Sequence, residues 1–203
     1  MMRKIGTLTR GGALLTVVLL ALIGVILVAP PGFVTPPFFY NETPSLPKGF
    51  YYIRKTDSLE VGDLVRMCVP ERWAQLARQR GYLGRGNCGG SSTPLGKMVV
   101  ASPGDTVDVG LDGVRVGGRL LSGSKPHLVD SKNRPLDVAL GRHILGLNEC
   151  FVLSTLYDLS FDSRYFGPVA CEVPHYVLYP ASDSARRILD SLKVAVRREL
   201  LLR

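Results

Sequence analysis

The chain has 203 residues, 46% of them hydrophobic, and a formal net charge of +8, which fits one domain of ~100–200 residues with added segments. The positive charge gathers at the extreme N-terminus, in residues 72–85 and near the C-terminus; no zinc-finger spacing, RNP-like aromatic motif or helix-turn-helix pattern accompanies it, so no nucleic-acid partner is expected. The four cysteines, Cys68, Cys88, Cys150 and Cys171, include no Cys-x-x-Cys pair, which argues against a thioredoxin-like redox motif and a zinc ribbon.

Residues 11–41 carry no charged side chain. The strongly apolar part, Ala13–Val28, approaches with its flanks the ~20 residues that span a bilayer. Arg3, Lys4 and Arg10 precede it, and the positive-inside tendency puts them in the cytoplasm with the rest of the chain across the membrane. Val28-Ala-Pro is a poor small-x-small cleavage site, so the segment reads as an uncleaved anchor rather than a signal peptide. In an exported chain, an even cysteine count favours two disulfides.

The stretch Asn41-Glu-Thr-Pro-Ser-Leu-Pro-Lys-Gly-Phe-Tyr51 holds Ser45 between two prolines that keep the backbone stiff and extended. Such a stretch is either a linker leaving a membrane helix or a means of displaying a hydroxyl. From Val28 the chain reaches at most about 55 Å to Ser45 at ~3.3 Å per residue, which keeps Ser45 near the membrane surface.

Short strands separated by Gly and Pro turns follow. Gly49–Asp57 reads as a strand, and Leu59–Cys68 as a turn and a second strand. Pro70–Arg80 reads as a helix with Gly81 after its end, burying Trp73 and Leu76 or Ala77. Residues 81–93 read as a loop. Gly96–Val109 reads as strand, Pro-Gly turn and strand; Val114–Leu121 as a hairpin arm; 122–143 as irregular. Cys150–Ser154 and Val169–Tyr179 read as strands. From Ser182 to Arg203, apolar residues recur at helical spacing against a basic face, predicting an amphipathic helix with Ser182 or Ser184 as its cap. The expected segments are an N-tail and anchor over 1–30, a β-rich body over 31–181 and a C-terminal helix over 182–203.

A serine hydroxyl needs a base to become a nucleophile. His127, His143 and His175 are scattered, with no triad signature around them and no H-E-x-x-H metal motif. Lys97 begins the apolar run Met98-Val-Val-Ala. A lysine desolvated there would titrate low enough to take a proton; the alternative is a solvated strand end. Asp162 and Arg164 lie two apart in Ser160-Phe-Asp-Ser-Arg-Tyr-Phe-Gly and would face the same way on an extended segment, where they could pair.

Taken together, Ser45-Leu-Pro-Lys-Gly, Gly96-Lys-Met-Val-Val-Ala-Ser-Pro-Gly-Asp105 and Ser160-Phe-Asp-Ser-Arg-Tyr-Phe-Gly167 resemble, in order and spacing, the motifs of the serine-lysine signal peptidases. Within that superfamily they are most similar to the TraF peptidases of conjugative plasmids. The resemblance runs from about residue 13 to about residue 180 and implies a mainly β, coiled antiparallel fold with a short inserted helix, an N-terminal transmembrane helix and a C-terminal amphipathic helix outside the matched region. It implies Ser45 as nucleophile, Lys97 as general base and Asp162 as an essential acidic residue. It further implies that Ser160 hydrogen-bonds the lysine, that Asp162 and Arg164 brace that region, and that the Ser45 N–H and the Thr43 hydroxyl form the oxyanion site. Four cysteines allow three pairings; the expected one is Cys68–Cys88 with Cys150–Cys171. Neither a metal nor an organic cofactor is expected.

The departures point to a dedicated enzyme. Leu46 and Met98 stand where general signal peptidases carry methionine and arginine, and Ser154-Thr-Leu-Tyr-Asp-Leu159 replaces their Gly-Asp-Asn, which leaves Asp158 without an assigned role. The implied protein is a single-pass inner-membrane endopeptidase with a periplasmic catalytic domain. It would process, and through an amine nucleophile cyclise, a pilin precursor beside other conjugation-channel proteins. The alternatives are a general type I signal peptidase, distinguished by cleavage of an unrelated secretory precursor, and a catalytically silent assembly component, which would have no need of Ser45, Lys97 and Asp162 together.

Overall fold

The computed structural model describes residues 10–28, 37–171 and 175–201. The chain divides into two compact units, Met1–Thr35 and Pro36–Arg203. In the first, helix α1 (Arg10–Val28) carries no charge beyond Arg10, and its described side chains include the exposed Leu14, Leu15, Val17, Val18, Leu19 and Leu20. Among the described residues no helix is long and apolar enough to cross a membrane. The basic Arg3 and Lys4 and residues 29–32 lie outside the described residues.

The strands of the second unit, in chain order, are β1 (Phe38–Asn41), β2 (Gly49–Thr56), β3 (Leu64–Met67), β4 (Arg85–Cys88), β5 (Leu95–Ala101), β6 (Thr106–Gly110), β7 (Gly113–Val116), β8 (Arg119–Leu120), β9 (Gly141–Ile144), β10 (Glu149–Leu153), β11 (Val169–Ala170) and β12 (His175–Pro180). The helices are α2 (Glu71–Gln79), α3 (Ser163–Phe166) and α4 (Asp183–Leu201). Seven strands form an antiparallel sheet in the order β1-β2-β12-β3-β5-β10-β11, and four form a second, β8-β7-β6-β9. The body is mainly β, as expected.

Strand β5 is covered on both faces, which explains its unbroken apolar run. Met98 and Val100 pack with Val107, Val109, Val114 and Val116 of the small sheet and with Leu189 and Val196 of α4. Val99 packs on the opposite side with Val65, Ala74, Ala77, Val152 and Phe166. Lys97 shares the parity of Val99, so its side chain starts into a covered face and not into solvent.

Pro70 stands at the N-cap of α2 rather than at its first helical residue, and the buried face is Ala74 and Ala77, with Trp73 partly buried against it. The expected 81–93 loop contains β4 and a 3-10 turn, Gly89–Ser91. Gly86 is needed there, because a Cβ would meet the Ser92 carbonyl oxygen at 2.7 Å. Val169–Tyr179 is not one strand. β11 pairs with β10 at one edge, while β12 pairs with β2 and β3; one continuous strand cannot occupy both places, since β3, β5 and β10 lie between β12 and β11. The cysteines pair Cys68–Cys88 and Cys150–Cys171, across separations of 20 and 21 residues.

Helix α4 is packed on the body. Ser182 Oγ caps it by accepting from the Ala185 N–H at 3.3 Å. Lys193 Nζ donates to Asp63 at 2.6 Å and Arg197 Nε to the Val61 carbonyl at 2.8 Å, so part of its basic face is committed to the β2–β3 connection.

Candidate active site

Strands β1 and β2 form a hairpin with Asn41 opposite Gly49, so Ser45 sits in the turn between them. The inward Tyr51 and the buried Asn41 hold that turn. Asn41 Nδ2 donates to the carbonyls of Thr43 at 2.7 Å and Leu46 at 2.8 Å. Tyr51 donates its hydroxyl to the Pro47 carbonyl at 2.6 Å, and burial pushes its pKa up to about 12, which keeps it a donor. Leu46 is buried in the core. The proline-rich stretch is thus a braced hairpin turn and not the extended segment its prolines predict, in which seven residues are fixed by two side chains and one anchor.

Lys97 Nζ lies 2.8 Å from Ser45 Oγ. Both residues are buried, at 2% and 4% exposure, so neither group depends on bulk water for its partner. Burial lowers the Lys97 pKa from 10.5 to about 8, while the Asp162 charge acts to raise it and the Arg164 charge to lower it. A lysine so placed is neutral often enough near neutral pH to accept a proton. The Thr43 hydroxyl stands 2.9 Å from both Asn41 Oδ1 and Ser45 Oγ. Because the Asn41 amide nitrogen is committed to carbonyls, its oxygen takes the Thr43 proton, and Thr43 then accepts from Ser45 in the resting arrangement.

Glycine at position 96 sets this spacing. A Cβ there would stand 2.9 Å from Leu46 Cδ1, 3.0 Å from Leu178 Cδ1 and 3.1 Å from Phe39 Cε1. Leu46 follows the serine and Gly96 precedes the lysine, so their contact gauges the distance between the two segments. Gly96→Ala is expected to overpack the site, destabilising the protein by about 1–3 kcal/mol in urea unfolding and reducing activity more than stability explains.

Asp162 and Arg164 form a fully buried pair. Arg164 Nε and Nη2 donate to the two carboxylate oxygens at 2.8 Å each, and the guanidinium also donates to the Ser160 carbonyl at 3.1 Å and the Lys125 carbonyl at 3.0 Å. They pair, but not on an extended strand: Asp162 caps the single turn α3, accepting from the Arg164 N–H at 3.3 Å. The Ser160 hydroxyl is buried without a hydrogen-bond partner among the described residues. The bond to Lys97 that the resemblance implied is absent among the described residues, and the lysine is turned to Ser45 instead.

Ser45, Lys97, Thr43 and Ser160 line one cleft of about 190 Å³ with Tyr82, Phe161 and Tyr165. Its far wall is fastened by Arg134, whose Nε donates to Asp130 at 2.6 Å and whose Nη2 donates to the Arg80 carbonyl at 3.0 Å. The histidines are engaged elsewhere: His143 Nε2 with the Ala139 carbonyl at 2.9 Å, and His127 Nε2 with the exposed Asp158 at 3.3 Å. The side chain of His175 lies outside the described residues. Sequence reasoning missed Asn41, Tyr51, Gly96 and Ser154, whose hydroxyl donates to the Ser45 carbonyl at 2.6 Å. Asn41, Gly96 and Ser154 each open a stretch that the sequence singles out, but nothing local to them shows what they contact.

Residues 10–173 match the family described as signal peptidase, peptidase S26. A plasmid transfer protein TraF of Escherichia coli is 39% identical over 131 residues, 64% of this chain and 73% of its own length. A probable conjugal transfer protein TraF of Sinorhizobium fredii (strain NBRC 101917 / NGR234) is 42% identical over 131 residues, covering 64% of this chain and 68% of its own. A crystal structure of a signal peptidase I from Enterococcus faecalis V583 covers 57% of this chain and 92% of its own at 20% identity, but with a TM-score of 0.32 the likeness is too slight to carry an argument.

Proposed function

Since the chain belongs to the signal peptidase S26 family, in its TraF-type branch, we propose that it is a membrane-anchored serine-lysine endopeptidase that processes the pilin precursor of a conjugative transfer system. The observation that carries this reading is the 2.8 Å contact between Ser45 Oγ and Lys97 Nζ, buried at the head of a cleft. Neutral Lys97 takes the Ser45 proton as Oγ attacks the scissile carbonyl. The tetrahedral oxyanion is met by the Ser45 N–H and by the Thr43 hydroxyl, once that hydroxyl turns from Asn41. Lys97 then gives its proton to the departing amine, leaving an acyl ester on Ser45. Water resolves the ester to a linear product. The pilin's own N-terminal amine resolves it to a cyclic one, favoured because a held amine has a high effective concentration.

Residues 1–30 serve as cytoplasmic tail and inner-membrane anchor, supported by the uncharged run after Arg10 and the basic residues before it. Residues 31–181 form the periplasmic peptidase domain and 182–203 a basic amphipathic helix. Two disulfides suit an oxidising compartment.

The test is the mass of the candidate pilin from cells carrying the native protein or Ser45→Ala. Native protein is expected to remove a terminal peptide and leave a product one water lighter than the linear cleaved chain, and Ser45→Ala to leave the precursor intact. A linear product would discard cyclisation and keep the peptidase. One unchanged mass in both strains would favour an assembly component, and cleavage of an unrelated secretory precursor would favour a general signal peptidase.

A further inference from the structure

Ser154 follows β10 and is buried at 2% exposure. It makes two contacts that join otherwise separate parts of the site. Its hydroxyl donates to the Ser45 carbonyl at 2.6 Å, and its N–H donates to Asp162 Oδ2 at 3.1 Å. We infer that Ser154 is a positioning residue that clamps the nucleophilic turn to the buried Asp162–Arg164 pair. The inference rests on the peptidase reading of Ser45 and extends it to a residue outside the serine-lysine pair.

The physical case begins at the Ser45 carbonyl. Unheld, it could rotate toward the cleft and set a partial negative charge beside the oxyanion that forms there. Bonded to Ser154, it fixes the backbone on the C-terminal side of Ser45. Asn41 and the buried Leu46 fix the rest of the turn, so the hydroxyl is aimed from several sides. The clamp is itself anchored. Asp162 is bound through both oxygens by Arg164, and neither side chain has room to turn, each being 0% exposed. Asp162 makes no hydrogen bond to Ser45 or Lys97 among the described residues; beside its charge acting on Lys97, its hydrogen-bonded route to the nucleophile runs through the Ser154 N–H and hydroxyl. An acidic residue can therefore matter to the reaction without taking a proton.

Ser154→Ala removes the clamp and no charge, so it separates positioning from proton transfer. In the full-length protein, with the pilin precursor as substrate, kcat is expected to fall about 10- to 100-fold, the scale of a ~1 Å misplacement. KM should stay within about twofold, and the midpoint of the pH–rate profile should not move, because the burial and charged neighbours of Lys97 are unchanged. Amide hydrogen exchange at Thr43, whose N–H donates to Asn41 Oδ1 at 3.4 Å within the same turn, should quicken about tenfold while β5 keeps its protection. Native exchange at the turn in Ser154→Ala overturns the clamp whatever the protein cleaves. Quickened exchange with an unchanged kcat overturns its role in positioning. If the native protein leaves the precursor uncut, the peptidase reading fails, and the exchange result alone decides the clamp.

Discussion

Lys97→Met is expected to yield a folded protein that is more stable than the native one at neutral pH and nearly inactive. The loss should be about 10²–10⁴-fold in cleavage rate, the range assigned to a positioned proton-transfer group. The double variant with Ser45→Ala should be no worse than either single change, because the two groups act as a unit. In the native protein the rate should climb as pH rises through about 8 and level off above it, since burial lowers the Lys97 pKa to about 8 and only the neutral amine accepts the serine proton. At pH 7, about one molecule in ten is in that form.

Stability carries the opposite side of the same shift. The folded-state pKa of Lys97 is below its value of 10.5 in the open chain, so between pH 8 and 10.5 the unfolded state binds more protons and stability rises with pH. Below about pH 8 both states are protonated, and the full burden of a buried ammonium is felt. Methionine has no such charge to bury. Thermal denaturation should therefore show Lys97→Met above the native protein at pH 7, with the gap narrowing as pH is raised from 8 toward 10.5. A less stable variant, or a gap independent of pH, would mean that the lysine is not buried as described. Full activity in Lys97→Met would remove the amine from the chemistry altogether.

Arg164→Met should have the largest effect on stability. The guanidinium has no exposure and makes four hydrogen bonds, two to Asp162 and one each to the Ser160 and Lys125 carbonyls. Without it the Asp162 carboxylate keeps, among the described residues, the N–H donors of Ser154 and of residue 164 itself. Breaking a buried pair on one side costs about 3–5 kcal/mol, which for a domain of this size is a fall in Tm of about 6–20 °C. The double change Asp162→Leu with Arg164→Met should be more stable than Arg164→Met alone, since no lone charge remains. A Tm within about 2 °C of native for Arg164→Met would show that the pair carries little stability. The pH–rate midpoint should also move upward in Arg164→Met, because the Arg164 charge helps to keep the Lys97 pKa low.

Much of this architecture is legible along the chain. The β-rich body follows from short apolar runs between Gly and Pro turns. α2 follows from Pro70 and Gly81, and α4 from its spacing of apolar residues. Misreadings arose where pairing partners decide the outcome. The segment 169–179 reads as one strand, yet its start pairs with β10 and its end with β2 and β3, and β5 lies between β3 and β10. Asp162 and Arg164 meet through a helical turn rather than an extended segment, because the Asp162 carboxylate caps that turn. Ser160 carried an implied bond to Lys97 that the fold does not make.

The sequence by itself determined the order of the chemical groups: a serine in a proline-braced stretch after an apolar segment, a lysine opening an apolar strand, and an acid two residues before an arginine. Only the tertiary structure decided what those groups are. Ser45 and Lys97 are 52 residues apart, and Ser154 reaches Ser45 across 109, so neither contact leaves a local pattern to read. The same Lys97 at an open strand end would be an ordinary ammonium. Here both faces of β5 are covered and the lysine's desolvation is set by residues far away in the chain, which is the condition the proposed base requires.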